Sequence, residues 1–154
     1  MSIIKTVKLN KIYDGAATPV HATNDVSINI EKGEFTALVG PSGCGKTTLL
    51  NLIGGLDKPT DGEVFVDDTK LSNLNGRELI DFRLRHIGFV FQAYNLIPVL
   101  TARENVEFIM HLQGTDKSER NARVEELLTK VGLKDKMDQR PARLSGGDQQ
   151  RVAV

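Results

Sequence analysis

Hydrophobic and polar positions alternate along the first thirty residues, and the rhythm changes twice further on. In Val26-Ser27-Ile28-Asn29-Ile30 the apolar side chains share one face, which predicts a half-buried antiparallel strand. Ile4 to Leu9 carries a weaker form of the same pattern, and Asp14-Gly15 to Pro19 between them reads as a hairpin connection. After Lys32-Gly33, the mostly apolar run Phe35-Thr36-Ala37-Leu38-Val39 predicts a strand buried on both faces. A helix is then expected from near Gly45, carrying Leu49, Leu50, Leu52 and Ile53 and stopped by Gly54-Gly55. Pro59 and Asp61-Gly62 turn the chain into a strand over Glu63–Val66, a polar helix follows over Arg77–Arg85, and Ile87–Phe91 reads as another strand.

From Tyr94 the pattern is helical. Thr101 and Glu104 form a capping box, each able to satisfy a backbone donor of the first turn. Over Ser118–Val131 the residues Val124, Leu127, Leu128 and Val131 make one stripe, ended by Gly132. The fold class is therefore α/β, with a sheet-rich first part over 1–93, a helical part over 94–144 and the start of a further helix over 145–154.

Composition narrows this picture. The 154 residues hold 20 Lys+Arg and 20 Asp+Glu, a net charge of zero, which excludes a generally basic nucleic-acid-coating protein though not a local basic patch; no nucleic acid is expected as a partner. No apolar run approaches the ~18 residues of a membrane span, and MSIIKTVKLNKIY lacks the apolar core of a secretory signal. A single cysteine, Cys44, fits a reducing compartment.

The strongest chemical signal is Gly40-Pro41-Ser42-Gly43-Cys44-Gly45-Lys46-Thr47, which matches G-x-x-x-x-G-K-[ST]. Glycines at 40, 43 and 45 let successive N–H groups curl around an anion, and the positive end of the following helix adds to that field. Lys46 then reaches the β- and γ-phosphates of a nucleotide, and the Thr47 hydroxyl is placed for Mg²⁺. The chain has no Asn-Lys-x-Asp segment; Asn10-Lys11-Ile12-Tyr13 begins like one and lacks the acid, so a GTPase is disfavoured. Cys44 reads as a small neutral filler whose backbone matters, with a reactive thiol at a helix start as the alternative.

A second motif, Leu144-Ser145-Gly146-Gly147-Asp148-Gln149, places a helix-capping serine before two glycines, with Asp148 at the capping-box position. Bare backbone at Gly146 and Gly147 suits close approach by an anion.

With both motifs in this order, the chain resembles the ATP-binding subunit of an ABC transporter. Gly40 to Thr48 is similar to the Walker A loop, Leu144 to Gln149 to the family signature, and Gln92 to the Q-loop glutamine. Phe89-Val90-Phe91-Gln92-Ala93-Tyr94-Asn95-Leu96-Ile97-Pro98 and Leu100–Val106 resemble the branch that serves lipoprotein release and macrolide export. The resemblance implies a P-loop NTPase fold with an N-terminal antiparallel β part, a RecA-like core and a helical subdomain. It implies ATP and Mg²⁺ as ligands, with Tyr13 stacking on adenine, residues Gly40 to Thr48 holding the phosphates, and Thr47 and Gln92 at the metal. Lys46 and Gln92 are the catalytic candidates.

It further implies that two such subunits pair head to tail. Each ATP would then lie between one Gly40–Thr48 loop and the other subunit's Ser145, Gly146, Gly147 and Gln149. A transmembrane permease is the implied partner, and the cytoplasmic face of the inner membrane the implied location. The family's Walker B strand, with its Mg²⁺-holding aspartate and catalytic glutamate, follows the signature, and the sequence reads as the first part of such a subunit. Val64–Asp68 imitates that strand but precedes Gln92 and lacks the glutamate, so it is taken as an outer strand with a turn. His21, His86 and His111 all precede the signature and read as surface or partly buried structural residues. A nucleotide-binding module without turnover, or a non-transport ABC ATPase, is the alternative reading.

Overall fold

The computed structural model describes residues 2–15 and 18–154; the middle of the Asp14–Pro19 connection, Ala16 and Ala17, lies outside them. The chain divides into two compact units, Met1–Ile87 and Gly88–Val154. The division falls ahead of the boundary at 93 read from the sequence, and places Gln92 in the second unit.

In the first unit, β1 (Ser2–Tyr13) is the spine of a five-stranded antiparallel sheet. On one edge its second half pairs with β2 (Val20–Val26) and its first half with β3 (Asn29–Glu31); on the other it pairs with β4 (Asp61–Val66), which turns into β5 (Thr69–Lys70). The register sets Tyr13 opposite Val20 and Thr6 opposite Val64. The strand expected over Val26–Ile30 is broken after Val26. Asp25 is left-handed (φ 50°), and the buried Thr6 hydroxyl fills the gap, donating to Val26 O (2.9 Å) and accepting from Ile28 N (3.1 Å). A buried side-chain hydroxyl thus replaces the missing ladder bonds. The imitation of a catalytic strand at Val64–Asp68 is an ordinary hairpin, with Asp67 and Asp68 both left-handed between β4 and β5.

Helix α1 (Lys46–Ile53) lays Leu49, Leu52 and Ile53 on the core of this unit, with Leu9, Val64 and Val66 from the sheet. Each such side chain removed from water contributes about 2 kcal/mol. Helix α2 (Gly76–His86) begins at a capping box of Asn75 and Glu78 and adds Phe82 to the same core. His86 stacks on Phe82 with ring centroids 4.5 Å apart. His21, His86 and His111 are all exposed.

Two expected strands do not form. Phe35–Val39 and Ile87–Phe91 join no ladder, Phe35 is 97% exposed and Val39 92%. A strand exists only through a hydrogen-bonded neighbour, and among the described residues none pairs with either run. Leu38 and Ile87 alone of these runs pack on the core.

The second unit is helical. Helix α3 (Ala102–Leu112) starts at the expected Thr101–Glu104 capping box, and α4 (Lys117–Lys130) buries Val124 and Leu128 against Ala102. Helix α5 (Gly146–Ala153) adds Val152 to that core. The irregular stretch before α3 is held by Asn105, whose amide bonds both backbone groups of Ile97 and the carbonyls of Leu100 and Thr101.

Candidate functional site

Loop 40–48 leads into α1 through two left-handed glycines, Gly43 (φ 81°) and Gly45 (φ 90°). Gly45 is the N-cap of α1, and no side chain caps this helix. The first N–H groups of a helix have no acceptor within it, so here they are left for an external one. Gly45 lies so close to β2 that a β-carbon on it would come within 2.0 Å of Ala22 O. The antiparallel sheet therefore fixes where the helix begins.

Lys46 lies across this loop. Its ammonium donates to Gly40 O (2.8 Å) and Pro41 O (2.7 Å) and contacts Cys44 Sγ at 3.5 Å. Pro41, Ser42, Cys44 and Thr47 are exposed, and Thr48 is partly so. A phosphate oxygen arriving at the loop can exchange with the two carbonyls for the same ammonium protons.

Magnesium takes oxygen ligands and usually shares them with substrate phosphates and water. The exposed Thr47 hydroxyl, in the first turn of α1, fits one such position. Among the described residues no cluster of three or more His, Cys, Asp or Glu side chains could hold a metal by itself. Gln92 is exposed in an irregular stretch of the second unit, after the stacked rings of Phe89 and Phe91 (centroids 5.6 Å apart) and not at the end of a strand.

Tyr13 ends β1 and is 41% exposed. Its hydroxyl donates to Asp57 Oδ2 (2.8 Å), and Lys11 Nζ stands 4.8 Å from its ring centroid. Sequence reasoning missed both partners. Lys11 was legible as a neighbour on the same face of an alternating strand; Asp57, in a loop 44 residues after Tyr13, gave no signal.

In the second unit, Ser145 caps α5 with both halves of a capping box in place. Asp148 N donates to Ser145 Oγ, and Ser145 N to Asp148 Oδ2, each at 3.2 Å. The buried Asp148 carboxylate also accepts from Lys136 Nζ (2.7 Å) and from Arg151. The bond from Lys136, with that from Ser145, holds its carboxyl well below the usual carboxylate range. Gln149 reaches back to the turn before the helix, its Nε2 donating to Pro141 O (3.0 Å) and Leu144 O (3.1 Å). Neither Gly146 nor Gly147 has a positive φ, and a β-carbon at either would meet only ordinary contacts, 3.9 Å from Tyr94 Oη and 3.7 Å from Arg151 Nη1. Nothing among the described residues requires glycine at these two positions.

A glycine-rich loop that opens an uncapped helix beside an antiparallel sheet, together with a helical unit, is the arrangement of a P-loop α/β protein. The chain belongs to the ABC transporter family, whose profile matches residues 23–154. It is 47% identical over 152 residues to an uncharacterized ABC transporter ATP-binding protein of Thermotoga maritima, covering 99% of this chain and 65% of that one. Over 154 residues it is 46% identical to the macrolide export ATP-binding/permease protein MacB of Mannheimia succiniciproducens, covering 100% of this chain and 24% of that one. Among solved structures it resembles the ATP-binding cassette MJ0796 of Methanocaldococcus jannaschii, in a dimeric post-hydrolysis state bound to ADP and Pi. The TM-score is 0.90 at 44% identity, over 97% of this chain and 66% of that one. The chain thus spans about two thirds of the length of the cassette relatives and about a quarter of the macrolide exporter. No helix among the described residues is long and apolar enough to cross a membrane.

Proposed function

We propose that this chain is the nucleotide-binding part of the ATPase subunit of an export-type ABC transporter, binding ATP with Mg²⁺ on loop 40–48. The observation that carries this reading is the uncapped start of α1, reached through left-handed Gly43 and Gly45 with the Lys46 ammonium lying across the loop. Backbone N–H groups at the helix start bind phosphate oxygens, and Lys46 leaves the carbonyls of Gly40 and Pro41 to neutralise charge on the β- and γ-phosphates. Thr47 offers its hydroxyl to the magnesium; the amide oxygen of Gln92 is the second donor that family resemblance assigns. Magnesium, when bound, spreads the negative charge of the phosphates.

Two copies, or two similar subunits, face each other so that the Ser145–Gly146–Gly147 start of α5 in one meets the γ-phosphate held by the other. The capping bond supports this role for Ser145. Its oxygen accepts from Asp148 N, which holds the side chain at the start of α5 where an anion would arrive. Glycines that the fold itself does not require at 146 and 147 suit close approach from outside. Gln149 acts by bracing the preceding turn. The dimeric, ADP- and phosphate-bound state of MJ0796 supports paired subunits and hydrolysis, and the joined ATP-binding and permease parts of MacB support a membrane partner and an export role. The subunit then works on the cytoplasmic face of the membrane.

Lys46→Ala tests the site. In the full native protein, calorimetric titration with MgATP should show affinity lower by about a hundredfold, the worth of two charge-assisted bonds to phosphate. Wild-type affinity in that variant refutes the assignment.

A further inference from the structure

The surroundings of Tyr13 are more tightly built than its exposure demands. Lys11 and Tyr13, two residues apart on β1, leave the same face of the strand. Opposite them, the loop after α1 folds back on the helix through Leu56 N and Asp57 N, both donating to Asn51 O (2.8 and 3.3 Å). That loop is stitched to β1 by Thr60 N to Asn10 O (2.9 Å) and Ile12 N to Thr60 Oγ1 (3.0 Å).

In this frame the Asp57 carboxylate is divided. Oδ1 accepts from Lys11 Nζ and Oδ2 from the Tyr13 hydroxyl, both at 2.8 Å. Lys11 also donates to Lys58 O (2.8 Å), and its side chain is only 13% exposed. The carboxylate is held in its ionised form, since burial, which opposes ionisation, is outweighed by the bonds from Lys11 and Tyr13.

A tyrosine that only covered a core would need no such partners, because water satisfies an exposed hydroxyl. Here a carboxylate tethers the hydroxyl and an ammonium stands over the ring. A base cannot stack where the ammonium sits, so stacking on this 41% exposed residue would use the face opposite Lys11. Asp57 is in turn anchored to the end of α1, whose start is the phosphate loop about 12 Å away by helical rise. Fixing the ring in advance spares the ligand that ordering cost on binding.

We propose that Asp57 is a positioning residue for the nucleotide base, sharing its carboxylate between Tyr13 and Lys11 so that the ring presents the face opposite Lys11 to the base. This rests on the reading of loop 40–48 as the phosphate site.

The test compares two ligands in the full native protein by calorimetric titration: MgATP, which has a base, and magnesium tripolyphosphate, which does not. Removing the platform by Tyr13→Ala should weaken ATP about tenfold or more, the usual worth of a base–aromatic stack. Asp57→Ala and Lys11→Met should each weaken ATP about fivefold while tripolyphosphate affinity stays within about twofold. Asp57→Asn, which keeps an acceptor for the hydroxyl, should fall between Asp57→Ala and wild type. In a Tyr13→Ala background, Asp57→Ala should add nothing. Should Asp57→Ala not fold, Tyr13→Phe removes only the tethered hydroxyl and should give the same selective loss. Unchanged ATP affinity, equal losses for both ligands, or a full further loss without the ring overturns the proposal. Failure of the underlying reading shows separately, as tripolyphosphate binding that survives Lys46→Ala.

Discussion

Replacing Gly45 by alanine puts a methyl group where the fold has a carbonyl. The backbone at Gly45 is left-handed (φ 90°), which costs an alanine about 1–2 kcal/mol. Its new β-carbon would lie 2.0 Å from Ala22 O and 3.2 Å from Ala22 C, inside any ordinary contact distance. The obstacle is the backbone of β2, beside the buried Thr23, so relief requires the loop or the strand to move by about 1 Å, an overpacking cost of about 1–3 kcal/mol. Gly43 is an internal control. It has nearly the same φ (81°) but nothing within 4 Å of its added β-carbon, so Gly43→Ala bears the backbone term alone. Gly45→Ala should therefore be destabilised by about 2–5 kcal/mol and Gly43→Ala by about 1–2 kcal/mol, against a typical domain stability of about 5–15 kcal/mol. Equilibrium urea unfolding of the two variants and wild type measures the gap, with the slope checked for constancy. A Gly45→Ala variant that folds does so by lifting the loop from β2, so it should also lose MgATP affinity. Equal urea midpoints for the two variants would refute the claim that β2 sets the start of α1.

Other consequences concern buried polar groups. Thr6→Val removes a hydroxyl that serves Val26 O and Ile28 N and should cost about 1–3 kcal/mol in urea unfolding. Thr23→Val should have the opposite sign or none, because Thr23 Oγ1 is buried with no hydrogen-bond partner among the described residues; stability rising by up to about 1 kcal/mol is expected, and a large loss would contradict the reading. The Asp148 carboxyl is held below its ordinary range in the fold, so its stabilising effect is complete above the unfolded value of about 3.9. That effect is lost as pH falls from there through the folded value. Urea midpoints followed down from pH 6 should therefore fall less steeply for Asp148→Asn than for wild type, and parallel curves would sink the assignment.

The sequence by itself determined the parts whose physics is local. The capping boxes at Thr101–Glu104 and Ser145–Asp148 formed as read, because each closes across three residues. Asn75–Glu78 carried the same signal and passed unnoticed inside a polar stretch. The ends of α1 at Gly54 and of α4 near Gly132 were also legible, as was the turn through Gly43 and Gly45 into α1, whose glycine spacing states its own geometry. Tertiary structure decided everything that needs a distant partner. Phe35–Val39 and Ile87–Phe91 have strand composition and no ladder, since a strand takes its hydrogen bonds from another segment. The break after Val26 depends on a hydroxyl twenty residues earlier, at Thr6. The tether on Tyr13 comes from Asp57, and the requirement for glycine at 45 comes from a carbonyl on β2. Periodicity and spacing report the bonds a segment makes with itself; which surface another segment presents to it is settled only when the chain has packed.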